Sequence, residues 1–274
     1  MVCRVIRLVP IKHVAAQELK LETHEIDTFT GWKPPIPFDL IIAVSFGLFV
    51  PPRILSGMRH GGLNVHPSLL PDLRGPAPIH HTLLKGRSHT GVTIQTLHPK
   101  HFDHGTILAQ TQPPGLHLGS VAGLTLAKLT TVLGEEGAKM LLHVIRARKF
   151  INPRVDAGWY AESGGPVGHA EKITKQYTYV DLALATAQDI QVRHNVLGDL
   201  WSHLPNGERI ILDDVKLITP DRDTRQAPGF FIDEEDRLKL RTSSGGVLLI
   251  NRCTLPGGKR GGANEPVKRI LSAV

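Results

Sequence analysis

Apolar residues occur along this chain in short blocks separated by breaks rich in proline and glycine. Residues 38–45 (FDLIIAVS) form an apolar run rich in β-branched side chains, which predicts a strand covered on both faces, as in a parallel sheet. Pro51 predicts the start of a helix reaching about Arg59, because proline suits the first helical turn. Residues 61–66 (GGLNVH) predict the next short strand, and two strands joined by a helix make a right-handed βαβ unit. Short helices are expected over 12–22 and 76–85. Residues 90–97 alternate Val92, Ile94 and Thr96 against Thr93, Gln95 and Leu97, a strand pattern, and 106–112 (TILAQTQ) suggest another strand. Residues 121–148 carry apolar positions at helical spacing with Gly134 near the middle, which predicts one interrupted helix or two.

The pattern then changes. Residues 152–170 contain Asn152-Pro153, Gly158, Gly164-Gly165-Pro166 and Gly168, a linker composition. Beyond them, 209–218, 237–242 and 246–250 are short alternating segments with turn residues between them, which suggests a small β-barrel. The 274 residues and 41% hydrophobic content suffice for one large domain or two smaller ones. No apolar stretch reaches the roughly 18–20 residues of a membrane-spanning helix, so no membrane partner is expected. Cys3 and Cys253 lie at opposite ends without a Cys-x-x-Cys pair, which supports neither a cysteine zinc site nor a disulfide framework and suits a reducing compartment.

Net charge is +7, which fits attraction to a polyanion as well as it fits solubility alone. Its distribution favours the polyanion. From Arg237 to Val274 there are eight Lys/Arg against the single acid Glu265, and a concentrated basic end suits nucleic acid.

Candidate chemistry centres on Asn64-Val65-His66. Residues i and i+2 of a strand share a face, with Cα atoms roughly 6–7 Å apart. The pair sits at the C-terminal end of an expected parallel strand, where open α/β sheets bind ligands. An amide and an imidazole there can hold a developing oxyanion. Residues 67–78 contain four prolines and one glycine, which predicts a stiff loop and a good pocket wall. Asp103, in His101-Phe102-Asp103-His104-Gly105, is positioned to orient His66, although an Asp before such a glycine is more often a turn residue. Eight histidines fall between His60 and His104, but no His-Glu-x-x-His accompanies them and no metal is expected. There is also no Gly-x-Ser-x-Gly or P-loop lysine motif.

Gly62-Leu63-Asn64-Val65-His66-Pro67-Ser68-Leu69-Leu70-Pro71, then Arg74-Gly75-Pro76-Ala77-Pro78-Ile79, resembles the signature of methionyl-tRNA formyltransferases. Thr90-Gly91-Val92-Thr93-Ile94 and Phe102-Asp103-His104-Gly105-Thr106-Ile107-Leu108 follow in the family's order and spacing. The resemblance extends from about Asp39 to Gln112, more weakly elsewhere, and is greatest to fungal mitochondrial members. It implies an α/β fold: a Rossmann-like formyltransferase domain over 1–150, a linker over 151–168, and a tRNA-binding, OB-like β-barrel over 169–274. It implies Asn64, His66 and Asp103 as catalytic residues. It implies 10-formyltetrahydrofolate as co-substrate, held by Phe46, Gly47, Leu48, Phe49, Val50, Ser68, Leu69, Leu70 and Pro71. It implies initiator methionyl-tRNA as partner, met by Arg74, Lys172, Lys175, Lys259 and Arg260. A monomer in mitochondria is expected.

Family members carry a strand–helix–strand unit and a further loop before the equivalent of Val9-Pro10-Ile11-Lys12, whereas eight residues precede Val9 here. The domain is therefore expected to lack its first unit, with poor solubility or weak activity. Two rival readings remain: another formyltetrahydrofolate-dependent transferase or hydrolase on the same fold, and an inactive RNA-binding relative.

Overall fold

A computed structural model describes residues 10–119, 124–218 and 227–273. In chain order, the first half contains α1 (Pro10–His13), β1 (Ile41–Val44), α2 (Pro52–Leu55), β2 (Gly62–His66), α3 (Pro78–Leu84), β3 (His89–Thr90), β4 (Thr93–Thr96), β5 (Ile107–Gln110), β6 (Leu116–His117) and α4 (Leu126–Arg146). The second half contains α5 (Ala187–Leu197), β7 (Leu200–His203), β8 (Arg209–Ile218), β9 (Gly229–Ile232), β10 (Leu238–Arg241), β11 (Val247–Thr254) and α6 (Asn264–Ser272).

The first sheet has the order β1-β2-β4-β5. β1 and β2 are parallel, joined through α2 as a βαβ unit, while β2–β4 and β4–β5 are antiparallel, so the sheet is mixed. The strand expected to be covered on both faces is covered on one. Ala43 is buried and Ile41 packs with Val50, Ile54 and Leu55, but Ile42 and Val44 are 45% and 50% exposed. β1 ends the sheet among the described residues.

The expected helix over 12–22 is also shorter: α1 runs into one π-type turn, Val14–Glu18, with no buried residue. Ile11, Leu19 and Leu21 remain exposed, and a short helix without an apolar partner has little to hold it. The helix expected from Pro51 is the single turn α2. The long helical pattern resolves as one helix, α4, capped by Thr125 Oγ1 accepting from Lys128 N, while residues 121–123 of that expectation lie outside the described residues. Its buried positions Leu129, Leu133, Gly137 and Val144 fall on one stripe. A Cβ at Gly137 would lie 2.9 Å from Val65 Cγ1, so glycine there lets the helix approach the sheet closely. Leu63, Leu83, Val92, Ile94 and Leu108 complete this core.

The second sheet is antiparallel throughout, in the order β7-β8-β11-β10-β9. With α5 and α6 it encloses a second core that includes Ile190, Leu200, Ile210, Leu212, Leu240, Leu248 and Val267. The helix α5 serves both cores, since Val192 and Val196 pack with the first. The glycine-rich stretch between the halves is bonded to the first sheet. Trp159 Nε1 donates to the Thr111 carbonyl, and the Trp159 and Tyr160 amides donate to Gln110 Oε1. Gly168 N donates to Asp72 Oδ1, and Ala170 N donates to the Arg74 carbonyl.

Candidate active site

β2 ends the first sheet's parallel pair, and its last turn of pleat aims Asn64 and His66 to one side. Antiparallel pairing sets Gln95 of β4 directly opposite Asn64, so its side chain joins the same face. The chain then loops back, with Asp103 at φ +56° and Gly105 packed so tightly that a Cβ would fall 1.7 Å from the Thr96 carbonyl oxygen. Asparagine and aspartate tolerate this left-handed backbone better than most residues.

Asp103 is the hub. Its Oδ1 accepts from Asn64 Nδ2 at 3.1 Å and Gln95 Nε2 at 3.0 Å, and lies 3.4 Å from His66 Nδ1. Its Oδ2 accepts from Gly75 N at 2.9 Å, and its backbone carbonyl accepts from Arg74 Nε at 2.8 Å. The side chains of His66 and Asp103 are only 6% and 7% exposed, which strengthens each of these contacts. His66 Nε2 lies 3.0 Å from the Leu73 carbonyl, an acceptor, so the bond between them needs a proton on Nε2. Both ring nitrogens thus face acceptor oxygens of the protein, the Leu73 carbonyl and the Asp103 carboxylate. Asn64 carries two N–H donors, of which one goes to Asp103, leaving the second for an oxyanion.

Three residues predicted from far-apart positions therefore meet. Gln95, Gly75 and Leu73 join them, and sequence reasoning did not mark these three. Gln95 looked like one polar position in a strand alternation, and only the register against Asn64 reveals its place. Of the histidines between 60 and 104, His66 alone approaches the Asp103 carboxylate; His98 stacks on His101 at 5.3 Å, and His104 lies tilted against His101 at 5.5 Å. Among the described residues no group of three or more His, Cys, Asp or Glu is placed to hold a metal, and no helix is long and apolar enough to cross a membrane.

A sequence model for the formyl transferase family matches residues 10–145. The mitochondrial methionyl-tRNA formyltransferase of Saccharomyces cerevisiae is 35% identical over 242 residues, covering 78% of this chain and 59% of that protein. A Schizosaccharomyces pombe protein provisionally named for the same activity is 32% identical over 270 residues, covering 89% of this chain and 75% of its own length. This chain belongs to the methionyl-tRNA formyltransferase family. It spans 59% of the budding-yeast relative and 60% of a Rhizorhabdus wittichii methionyl-tRNA formyltransferase. Two solved structures share the fold: HypX from Aquifex aeolicus in complex with tetrahydrofolic acid (TM-score 0.54, 17% identity, 85% of this chain and 38% of that one) and the sugar 3N-formyltransferase WlaRD (TM-score 0.53, 14% identity, 89% and 81%).

Residues expected to hold the folate of this formyltransferase family divide into two groups. Phe46 and Val50 line an apolar hollow of about 240 Å³ with Phe29, Trp32 and Met58. Leu48 and Phe49 line a more polar one of about 330 Å³ beside Asp27, Thr30 and Arg53. Gly47 forms the turn between them at φ +76°. Phe49 packs edge-on to Phe102 at 5.1 Å, which joins this wall to the Asp103 loop. Ser68, Leu69 and Leu70 instead have buried side chains. Ser68 Oγ donates to the Asp72 carbonyl, and Leu70 N donates to Thr93 Oγ1. Pro71 follows, half-buried.

Of the residues expected to meet tRNA, Arg74 touches the Asp103 loop directly. Lys172 and Lys175 are exposed on the segment that leaves Ala170, whose carbonyl accepts from Ala77 N. Lys259 is exposed. Arg260 is exposed too, but its guanidinium bonds Asp199 at 2.8 and 3.0 Å and Asp213 at 3.3 Å. Those two acids, Asp199 foremost, raise its pKa further.

Proposed function

We propose that this protein transfers the formyl group of 10-formyltetrahydrofolate to the α-amine of initiator methionyl-tRNA, as a monomer in the mitochondrion. The observation that carries the reading is the meeting of Asn64 and His66 on the Asp103 carboxylate, within 3.4 Å, at the carboxyl end of a parallel strand pair. The amine nitrogen attacks the formyl carbon. The second amide N–H of Asn64 and the His66 Nε2–H, exchanged from the Leu73 carbonyl, hold the oxyanion. Asp103 holds both donors, and the amine's proton leaves through water to the departing N10 of the folate.

The apolar and the more polar hollow beside Phe46–Val50 together suit a flat aromatic ligand with polar edges such as a folate, and the one lined by Phe49 adjoins the catalytic loop through Phe102. Residues 1–150 make the catalytic domain, 151–168 the connection, and 169–274 a curled, OB-like antiparallel barrel. The exposed Lys172, Lys175 and Lys259 supply this C-terminal part with phosphate contacts.

Purified protein is assayed for formyl transfer to methionyl-tRNA, to an amino-sugar nucleotide, to glycinamide ribonucleotide and to water. Transfer to methionyl-tRNA is expected. Asn64→Ala should lower the rate by about 10²–10³-fold, with His66→Ala and Asp103→Asn also severely impaired and all three folded. Near-normal turnover in all three variants, or preference for another acceptor, would overturn the assignment.

A further inference from the structure

Gln95 lies opposite Asn64 in the β2–β4 ladder and is 1% exposed. Both ends of its amide are committed to one short loop. Its Oε1 accepts from Gly105 N at 3.1 Å, and its Nε2 donates to Asp103 Oδ1 at 3.0 Å. The Gly105 bond fixes which way the amide faces, because only the oxygen can accept it. The NH2 end is therefore turned onto the carboxylate.

We propose that Gln95 is a positioning residue for formyl transfer. It clamps the Asp103 carboxylate and so sets the directions of Asn64 and His66, both of which face the same Oδ1. The role rests on the formyl-transfer reading of the site. Burial keeps Gln95 from the substrates, so it acts through Asp103.

The geometry explains the need for a clamp. Asp103 sits in left-handed backbone, next but one to a glycine with no room for a side chain. At 3.4 Å the imidazole is beyond the usual hydrogen-bond distance and anchors Oδ1 weakly. Without Gln95 Nε2, the Asn64 amide would be the single close side-chain donor left on that oxygen. The carboxylate could then turn about the Gly75 bond and carry the Asn64 N–H away from the reacting carbon. Misplacements of this size lower rates by about a hundredfold at the extreme. The competing role for Gln95 is structural: to satisfy the Gly105 amide and no more.

The test uses the full chain with Gln95→Met and Gln95→Glu. Gln95→Met removes both bonds at similar volume. It should lower kcat by about 10- to 100-fold while KM for both substrates stays nearly unchanged. Gln95→Glu keeps an acceptor for Gly105 but sets an oxygen against Asp103. It should be impaired at neutral pH and recover as the pH falls, because only a protonated Glu can donate to Oδ1. In the resting protein, the ¹⁵N signals of the His66 ring and the Asn64 side-chain amide should move in both variants. A lowered thermal midpoint with kcat per folded molecule, the pH profile and these signals all unchanged would overturn the proposal. Should Gln95→Met not fold, Gln95→Glu decides alone through its pH profile and spectra. Should the wild-type protein transfer no formyl group to methionyl-tRNA, the functional reading fails, and the spectra alone decide whether the clamp exists.

Discussion

Arg74 Nε donates to the backbone carbonyl of Asp103 at 2.8 Å, so a guanidinium expected to meet RNA also braces the loop that carries the carboxylate. A hydrogen bond from a charged group contributes about 1.5–3 kcal/mol, which corresponds to roughly ten- to a hundredfold in rate if it acts on the reacting geometry. Arg74→Met should therefore lower kcat as well as raise KM for methionyl-tRNA. Steady-state kinetics check this, and a change confined to KM would assign Arg74 to RNA binding alone.

Gly75 links the site to the second half of the chain. Its amide donates to Asp103 Oδ2, its φ is +123°, and a Cβ there would lie 2.4 Å from the Ala170 carbonyl oxygen. Gly75→Ala meets both backbone strain and a clash with another main chain, so it should destabilise the protein by about 1–3 kcal/mol or more. It should also lower activity in the fraction that folds. Urea unfolding of wild type and variant, with activity per folded molecule, tests both parts.

In the second sheet, Lys239 Nζ lies 2.8 Å from Asp233 Oδ2, with side chains 4% and 9% exposed. Burial alone pushes the Asp233 carboxyl up, but bonds from Lys239 and Arg237 outweigh it and hold it well below its ordinary value of 3.8. A carboxyl with a depressed folded-state pKa contributes stability that is fully present above the unfolded value and is lost as pH falls through the folded one. Unfolding midpoints should thus decline as pH drops below about 4, and Asp233→Asn should flatten part of that decline. At neutral pH the same substitution removes the carboxylate that Lys239 Nζ and Arg237 Nε bond and should lower the unfolding midpoint.

Binding of tRNA should weaken steeply with salt. Each phosphate contact contributes roughly 0.7–0.9 to the slope of log K against log salt. Lys172→Ala, Lys175→Ala and Lys259→Ala should each reduce that slope, as measured by filter binding across a salt series. A slope unchanged in all three would place the RNA on another face.

The sequence already carried the site's three main members, because a strand's two-residue period set Asn64 and His66 on one face and the motif order brought Asp103 after them. It did not mark Gln95, because a polar residue in an alternating strand is ordinary until register puts it opposite Asn64. It overstated the cover on β1, because an apolar run reports what could be buried, and the neighbours decide what is; Ile42 and Val44 stay half exposed. It marked Ser68–Leu70 as a ligand wall, whereas these side chains are buried.

Local order along the chain was enough to specify the βαβ unit, the long helix, the later run of short strands and the family. Periodicity, proline and glycine placement, and motif spacing all act over a few residues. The positions of the Leu73 carbonyl on His66, of Gly75 on Asp103 and of Ala170 against Gly75 were set only by folding. Each joins atoms whose approach depends on strand register and on how separate cores pack, and no short stretch of sequence encodes those distances.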